Sequence, residues 1–330
     1  MGKLSWGILS TANIGIKRVI PAILSSDHGR IAAIASRSAQ RAADAASRLG
    51  IERSHGSYQA LIDDPEIEAI YNPLPNHLHV EWTVKALDAG KHVLCEKPIG
   101  LNAREAEAIV AARRRSGKQV IEAFMVRHHP QWQRVRSLVD AGRIGKLGAV
   151  QSAFLFTMLD PNNVRNQADI GGGALYDVGC YPIVTARYLF RCEPYKAIAL
   201  LDRDPQLGVD RVTSGLVAFD GGGQLAFTSA LQLSGYQKVV ALGTHGRIEL
   251  DVPFTPMKDH ACRIRIETAG GTEIEDFPAV DQYRLQCDTA VQVFRGERDP
   301  EFPIEDAIAN MRVIDALYRS AESGRWEKVA

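Results

Sequence analysis

The sequence predicts an α/β protein in two parts. The first, residues 1–123, is built on a doubly wound parallel sheet, and the second, residues 124–330, is an α+β domain with a large open, mostly antiparallel sheet. Three observations lead there. Strands in the first part are short, unbroken apolar runs that alternate with helices, the pattern of a parallel sheet covered on both faces. Near Phe124 this gives way to alternating segments separated by glycine-rich turns, the pattern of hairpins. A chain of 330 residues is also long for one compact core.

In order, Leu4 to Leu9 reads as a strand, Ile14 to Leu24 as a helix, Ile31 to Ala35 as a strand and Gln40 to Leu49 as a helix. Ile67 to Tyr71 is the next strand, followed by a helix from His79 to Ala89 that stops at Gly90. His92 to Cys95 is a buried strand, Ala103 to Ser116 a helix closed by Gly117, and Gln119 to Ala123 a strand. The second part opens with a helix over Pro130 to Ala141. Strands follow at Gly148 to Leu159, Ala197 to Leu201, Thr213 to Phe219 and Leu225 to Leu231, then at Lys238 to Leu242, Gly246 to Leu250, Arg263 to Thr268 and Thr272 to Phe277. A helix from Gly179 to Leu189 interrupts them, and a last helix runs from about Ile304 to Ala321.

Composition narrows the function. Lys+Arg and Asp+Glu are both 39, so the formal net charge is zero, which argues against nucleic-acid and membrane partners. The five cysteines are odd in number and no two form a C-x-x-C pair. A disulfide framework or structural zinc is not expected, and a reducing, cytoplasmic setting fits. Ser10, Thr11, Asn13 and Gly15 break the first apolar run, so it does not read as a signal peptide. His128 and His129 are adjacent and lack a third ligand at zinc spacing, so no metal site is expected.

The turn after the first strand reads Ser10-Thr11-Ala12-Asn13-Ile14-Gly15. Dinucleotide folds place G-x-G-x-x-G here, so that backbone N–H groups and a helix N-terminus approach a pyrophosphate. Only the last glycine is present, and a strand–loop–helix without ligand explains the turn equally well. The second strand ends at Ser36-Arg37, 21 residues after Gly15, where such folds meet the adenosine ribose. An acidic residue there selects NAD; Ser36 and Arg37, with Arg41 a turn later, instead suit a 2′-phosphate and favour NADP(H). In the loop Asn72-Pro73-Leu74-Pro75-Asn76-His77-Leu78-His79, Asn76 is placed to bond a ribose and His79 to approach the nicotinamide.

Lys97 follows the strand at His92 and precedes Pro98, which holds Lys97 extended and permits a cis peptide. Beside a nicotinamide it would bond the reacting oxygen; a surface ion pair with Glu96 is the alternative. Asp177 and Tyr181 stand four residues apart after Gly171-Gly172-Gly173, one face of a helix. An acid and a phenol on one face suit proton transfer; a helix cap and a core tyrosine are the alternative. Phe154, Phe156 and Arg165 are expected to shape the substrate pocket.

Together these pieces resemble the glucose–fructose oxidoreductase / inositol dehydrogenase (Gfo/Idh/MocA) family over essentially the whole chain. The matching elements are Thr11-Ala12-Asn13-Ile14, Ser36-Arg37, Pro73-Leu74-Pro75-Asn76, Gly90 to Pro98 with its Glu96-Lys97-Pro98, and Gly171 to Tyr181. The resemblance implies a Rossmann domain followed by a domain with a large open sheet. It also implies association as a homodimer or homotetramer through that sheet. It places Ser10, Thr11, Ala12, Asn13, Ile14, Pro73, Leu74, Asn76, His79, Glu96 and Arg165 with the cofactor. Lys97 resembles the family's catalytic lysine, Asp177 its substrate-positioning aspartate, and Tyr181, with Phe156 near the substrate, its acid/base. Tyrosine in that slot and Pro73-Leu74-Pro75 are similar to the dimeric dihydrodiol dehydrogenase and NADP-dependent xylose dehydrogenase branch. The implied activity is NADP(H)-dependent hydride transfer with a sugar, polyol or cyclic diol. A cofactor-dependent glycosidase and a non-catalytic NADP-binding regulator are the rivals, and net nicotinamide reduction separates them.

Overall fold

A computed structural model describes residues 2–330. They form two compact units, residues 2–125 with 281–308 and residues 126–280 with 309–330.

The first unit holds a six-stranded parallel sheet in the order β3-β2-β1-β4-β5-β6. Its strands are β1 (Leu4–Leu9), β2 (Gly29–Ala35), β3 (Arg53–His55), β4 (Ala69–Asn72), β5 (His92–Cys95) and β6 (Val120–Glu122). β1 is buried along its whole length, as the unbroken apolar run requires. The order reverses at β1, so the chain leaves neighbouring strands β1 and β4 in opposite directions, the switch point at which open α/β sheets bind ligands.

The helices are α1 (Ile20–Leu24), α2 (Ala39–Leu49), α3 (Tyr58–Ile62), α4 (His79–Asp88) and α5 (Ala103–Ser116). Ser38 caps α2 through the Arg41 N–H, Asn102 caps α5 through the Glu105 N–H, and Gly50 and Gly117 end these helices in the left-handed region. The segment Gly15–Val19, expected to be the first turns of an α-helix, is a π-helical turn leading into α1. A helix absent from the sequence reading, α8 (Gln282–Phe294; numbered after α6 and α7 below), completes this unit. Its Cys287, Val291 and Phe294 join Trp6, Ile20 and Leu94 in one core, and Phe294 stacks on His92 with ring centroids 4.9 Å apart.

The second unit holds a nine-stranded mixed sheet in the order β14-β13-β12-β11-β7-β10-β9-β8-β15. The strands are β7 (Leu147–Thr157), β8 (Pro194–Arg203), β9 (Asp210–Phe219), β10 (Gln224–Ala230), β11 (Gln232–Gly243), β12 (Gly246–Leu250), β13 (Cys262–Thr268), β14 (Gly271–Phe277) and β15 (Glu327–Lys328). Neighbours run antiparallel except β7 and β10, which pair in parallel from Ala149 with Gln224 to Leu155 with Ala230. Alternate residues such as Val150, Val217, Phe227, Val239 and Ile264 point into the core. Helices α6 (Pro130–Asp140) and α7 (Cys180–Phe190) and the later part of α9 (Ile304–Ser323) belong to this unit. The other sheet face keeps Leu200, Leu216 and Tyr236 exposed, Leu200 at 77%.

Among the described residues, no helix is long and apolar enough to cross a membrane, and no group of three or more His, Cys, Asp or Glu could hold a metal.

Candidate functional site

In the first unit the expected cofactor residues gather at the carboxyl ends of β1, β2, β4 and β5. Ser10 stands at φ +100°, a conformation that normally calls for glycine, and its hydroxyl accepts the Ala12 N–H at 3.2 Å. Serine therefore makes the sharp turn that the first fingerprint glycine makes elsewhere. Thr11 and Ala12 are half-buried and Asn13 exposed, and the turn beginning after Ile14 has no side-chain cap of its own. Helix-start N–H groups without a cap are the donors an anion requires.

At the end of β2, Ser36 is buried, its N–H bonded to the His55 carbonyl at 3.1 Å and its hydroxyl accepting from Ser38 at 3.3 Å. Arg37 and Arg41 point to solvent. The Arg37 guanidinium lies near the Tyr58 hydroxyl, whose ring meets Trp82 edge-on at 5.2 Å. These positions are basic or hydroxylated, so the donor set fits a nucleotide with a 2′-phosphate.

A buried network joins the ends of β4 and β5. Asn72, fully buried, donates to the His79 carbonyl at 3.2 Å and to the Thr83 hydroxyl at 3.1 Å, and accepts from the Leu74 N–H at 3.3 Å. His79, which the sequence places toward the nicotinamide, is buried. Its ring is 1% exposed and lies between the Leu74 carbonyl, 2.6 Å from Nε2, and the Pro98 carbonyl, 2.7 Å from Nδ1. Burial, with the Lys97 ammonium beside it, pushes its pKa down to about 4. The neutral ring carries one N–H and so donates to one of these carbonyls at a time. His79 ties the Pro73-Leu74-Pro75 loop to the turn that bears Lys97.

That turn is held twice more. The Ile99 N–H donates to Glu122 at 2.9 Å, and Glu96 accepts the Tyr71 hydroxyl at 2.7 Å. Burial, then the Glu96 charge, drives the Tyr71 phenol well above its ordinary range. The Lys97–Pro98 peptide is cis. Asn76 opens the short 3₁₀ turn that leads into α4.

In the second unit the glycine run Gly171 to Gly173 leads into a π-helical turn, Leu175–Gly179, and then α7. Asp177 lies on the turn and Tyr181 on the helix, so their four-residue spacing spans a π-to-α junction rather than one α-face. Arg165 donates to Asp177 through Nε at 2.7 Å and places its guanidinium 5.9 Å from the Phe156 ring centroid. Tyr181 is 5% exposed, within an aromatic group of Phe154 at 5.4 Å and Phe254 at 5.5 Å between centroids. Phe154 and Phe254 stack at 4.8 Å.

Asn72, Phe254 and Asp210, which accepts the Leu175 N–H at 2.7 Å, were not picked out from the sequence. Asn72 lay in a quoted motif but carries no signal beyond it. Phe254 and Asp210 sit in stretches without a motif.

The family model for the oxidoreductase family with an NAD-binding Rossmann fold matches residues 4–124, and that for the GFO/IDH/MocA C-terminal domain matches 132–249. The D-xylose 1-dehydrogenase (NADP(+)) 2 of Haloferax volcanii is 38% identical, covering 97% of this chain and 98% of its own. The trans-1,2-dihydrobenzene-1,2-diol dehydrogenase of Mus musculus is 31% identical over 77% of this chain and 76% of its own. Among solved structures, a 3-ketoreductase of Actinomadura kijaniata in complex with NADP and TDP-benzene superposes with TM-score 0.91 at 30% identity, covering 96% of this chain and 98% of that one. That reductase has also been crystallised with a lysine changed to alanine and with a tyrosine, 84 positions further on, changed to phenylalanine. With both domain models matched and relatives above 30% identity along nearly the full length, this chain belongs to the Gfo/Idh/MocA family of nicotinamide-dependent oxidoreductases.

Proposed function

We propose that the protein is an NADP(H)-dependent dehydrogenase or reductase acting on a hydroxyl or carbonyl of a sugar, polyol or cyclic diol. The observation that carries this reading is the support given to Lys97: its turn is fixed by Glu122, by the Tyr71–Glu96 bond and by the His79 bridge to the Leu74 loop. A surface lysine in a casual ion pair needs no such scaffold. The substituted lysine and tyrosine of the Actinomadura reductase are the same 84 positions apart as Lys97 and Tyr181, which supports giving both residues a role in the reaction.

The bound cofactor supplies the hydride acceptor or donor. Ser10, Thr11, Ala12, Asn13 and Ile14 form the turn for its pyrophosphate, and Pro73, Leu74, Asn76 and Glu96 line its path. Ser36, Arg37 and Arg41 hold the 2′-phosphate and so select NADP. Lys97 donates a hydrogen bond to the reacting oxygen of the substrate and stabilises its alkoxide character. In oxidation the deprotonated Tyr181 oxygen takes the substrate hydroxyl proton and becomes the hydroxyl, and in reduction that hydroxyl gives the proton back. Asp177, its carboxylate oriented by Arg165, accepts a hydrogen bond from a neighbouring substrate hydroxyl. Phe154 and Phe156 offer apolar surface to the carbon face of a ring.

The relatives named above are a sugar dehydrogenase, a diol dehydrogenase and a ketoreductase, which supports this substrate range. The exposed sheet face of the second unit is proposed as the surface on which a second copy assembles. It carries a groove of about 870 Å³ lined by Leu200, Leu216, Ala226, Tyr236 and Val240, an apolar patch of the kind that marks association.

A panel of aldoses, ketoses and cyclic diols, each offered with NADP⁺ and with NAD⁺, tests the reading through the absorbance of the reduced nicotinamide. At least one sugar or diol should reduce NADP⁺ faster than NAD⁺. Absence of net reduction across the panel, in both directions, would remove the proposal.

A further inference from the structure

Asp210, the first residue of β9, is 1% exposed. Its carboxylate collects three donors: the Leu175 N–H at 2.7 Å, the Thr213 hydroxyl at 2.7 Å and the Tyr318 hydroxyl at 3.1 Å. The first bond links it to the segment that carries Asp177 and Tyr181. That segment starts to wind at Ala174, and the residue before it, Gly173, has no side chain that can cap the start. The opening N–H groups of a helix need an acceptor, and negative charge is favoured there. Asp210 provides both from a strand 35 residues further along the chain.

The glycines belong to the same fitting. Gly173 stands at φ +120°, and a Cβ on it would lie 2.0 Å from Asp210 Oδ1. On the other side, the Arg165 carbonyl accepts the Gly173 N–H at 2.9 Å, and a Cβ on Gly172 would lie 2.6 Å from that oxygen. Arg165 then reaches Asp177 with its guanidinium. The segment is therefore pinned at its start by Asp210 and alongside by Arg165. Tyr318, which bonds Asp210, also packs its ring 5.1 Å from that of Tyr176. Burial makes the charge on Asp210 costly, and the three donors offset part of that cost. A carboxylate retained under those terms, on a backbone N–H two residues before Asp177, is placed for orientation.

We infer that Asp210 is a positioning residue of the reaction: through the Leu175 N–H it sets where the Gly171 to Tyr181 segment presents Asp177 and Tyr181. This rests on the reading that Asp177 and Tyr181 carry the chemistry. Asp210 acts through them and is not itself a group on which substrate reacts.

The test compares Asp210→Ala, Asp210→Asn and Tyr181→Phe in the full chain, using the sugar turned over fastest in the panel above. It records kcat, KM, the Kd for NADPH and the melting temperature. Asp210→Ala should lower kcat by about 10- to 100-fold, the scale expected when reacting groups are misplaced by about an ångström. Its Kd for NADPH should not change. Asp210→Asn keeps an oxygen for the Leu175 N–H and should recover most of kcat. A residue that only stabilises the fold would instead show loss of folded enzyme with normal turnover in what remains. A folded Asp210→Ala with wild-type kcat, or an Asp210→Asn as slow as the alanine variant, overturns the inference. If Asp210→Ala does not fold, Gly173→Ala carries the test, because its Cβ would push against the same carboxylate: a comparable fall in kcat supports the inference and wild-type turnover overturns it. Tyr181→Phe separates the two levels. If it turns over normally, the functional reading fails and the inference falls with it; if it is slow while the Asp210 variants are not, only the inference fails.

Discussion

Arg37 shows how much function a single exposed side chain carries in this fold. It follows the buried Ser36 at the end of β2, with the Tyr58 hydroxyl beside its guanidinium. A charged hydrogen bond to a phosphate is worth about 1.5–3 kcal/mol. Arg37→Ala should therefore weaken NADPH binding by roughly 10- to 100-fold, while NADH binding, which has no 2′-phosphate to lose, stays as it was. Fluorescence titration of both nucleotides checks this, and equal losses for the two would contradict the 2′-phosphate role. Ser36, Arg37 and Arg41 were singled out because their signal is local: a count from Gly15 and a cation at a strand end. Asp210 and Asn72 were not, because each acts through partners that only the folded chain brings close, 35 residues away for Leu175 and 11 for Thr83. His79 was read from its place in the loop after β4, which does not say whether a histidine faces a ligand or two backbone carbonyls.

At the scale of strands and helices, two histidines make element ends sensitive to acid. His92 Nδ1, on β5, accepts the Gln119 N–H at 3.0 Å, and His129 Nδ1, the cap of α6, accepts the Gln131 N–H at 3.2 Å. Both bonds require an unprotonated nitrogen, and burial pushes both rings down to about 4. In the unfolded chain a histidine titrates near 6.5. Between the two values the unfolded chain binds the extra proton, so stability is present above about pH 6.5 and is lost as pH falls toward 4. Each ring adds up to about 1.4 kcal/mol per pH unit to that slope. The midpoint of urea unfolding should drop steeply from about pH 7 to pH 4.5, less so in His92→Gln; a flat profile would contradict the burial argument. Five of the parallel strands were readable as apolar runs, but β3, the polar Arg53–His55, was not; the β9–β10 and β13–β14 hairpins were readable by their glycine turns. The π-helical turns were not, since one extra residue per turn leaves the apolar pattern of a short segment unchanged. Nor was α8, because nothing in its own residues says that it packs on strands almost 300 positions earlier.

Over the whole molecule, both sheets were expected, but the parallel pairing of β7 with β10 was not, since register between distant strands has no sequence signature. The apolar outer face of the nine-stranded sheet carries a prediction of its own. Leu200→Glu together with Leu216→Lys should shift the protein toward monomer in sedimentation without unfolding it; an unchanged mass would clear this face of an association role. The account's central claim, that this family member moves hydride with Lys97 and Tyr181 carrying the proton and charge, has a more direct test. It is the turnover of Tyr181→Phe and Lys97→Ala under saturating NADP⁺, with the Kd for NADPH measured on the same samples. The account predicts a loss in kcat of about 10²- to 10⁴-fold for each variant, with nucleotide binding retained. Wild-type turnover in both variants would contradict it.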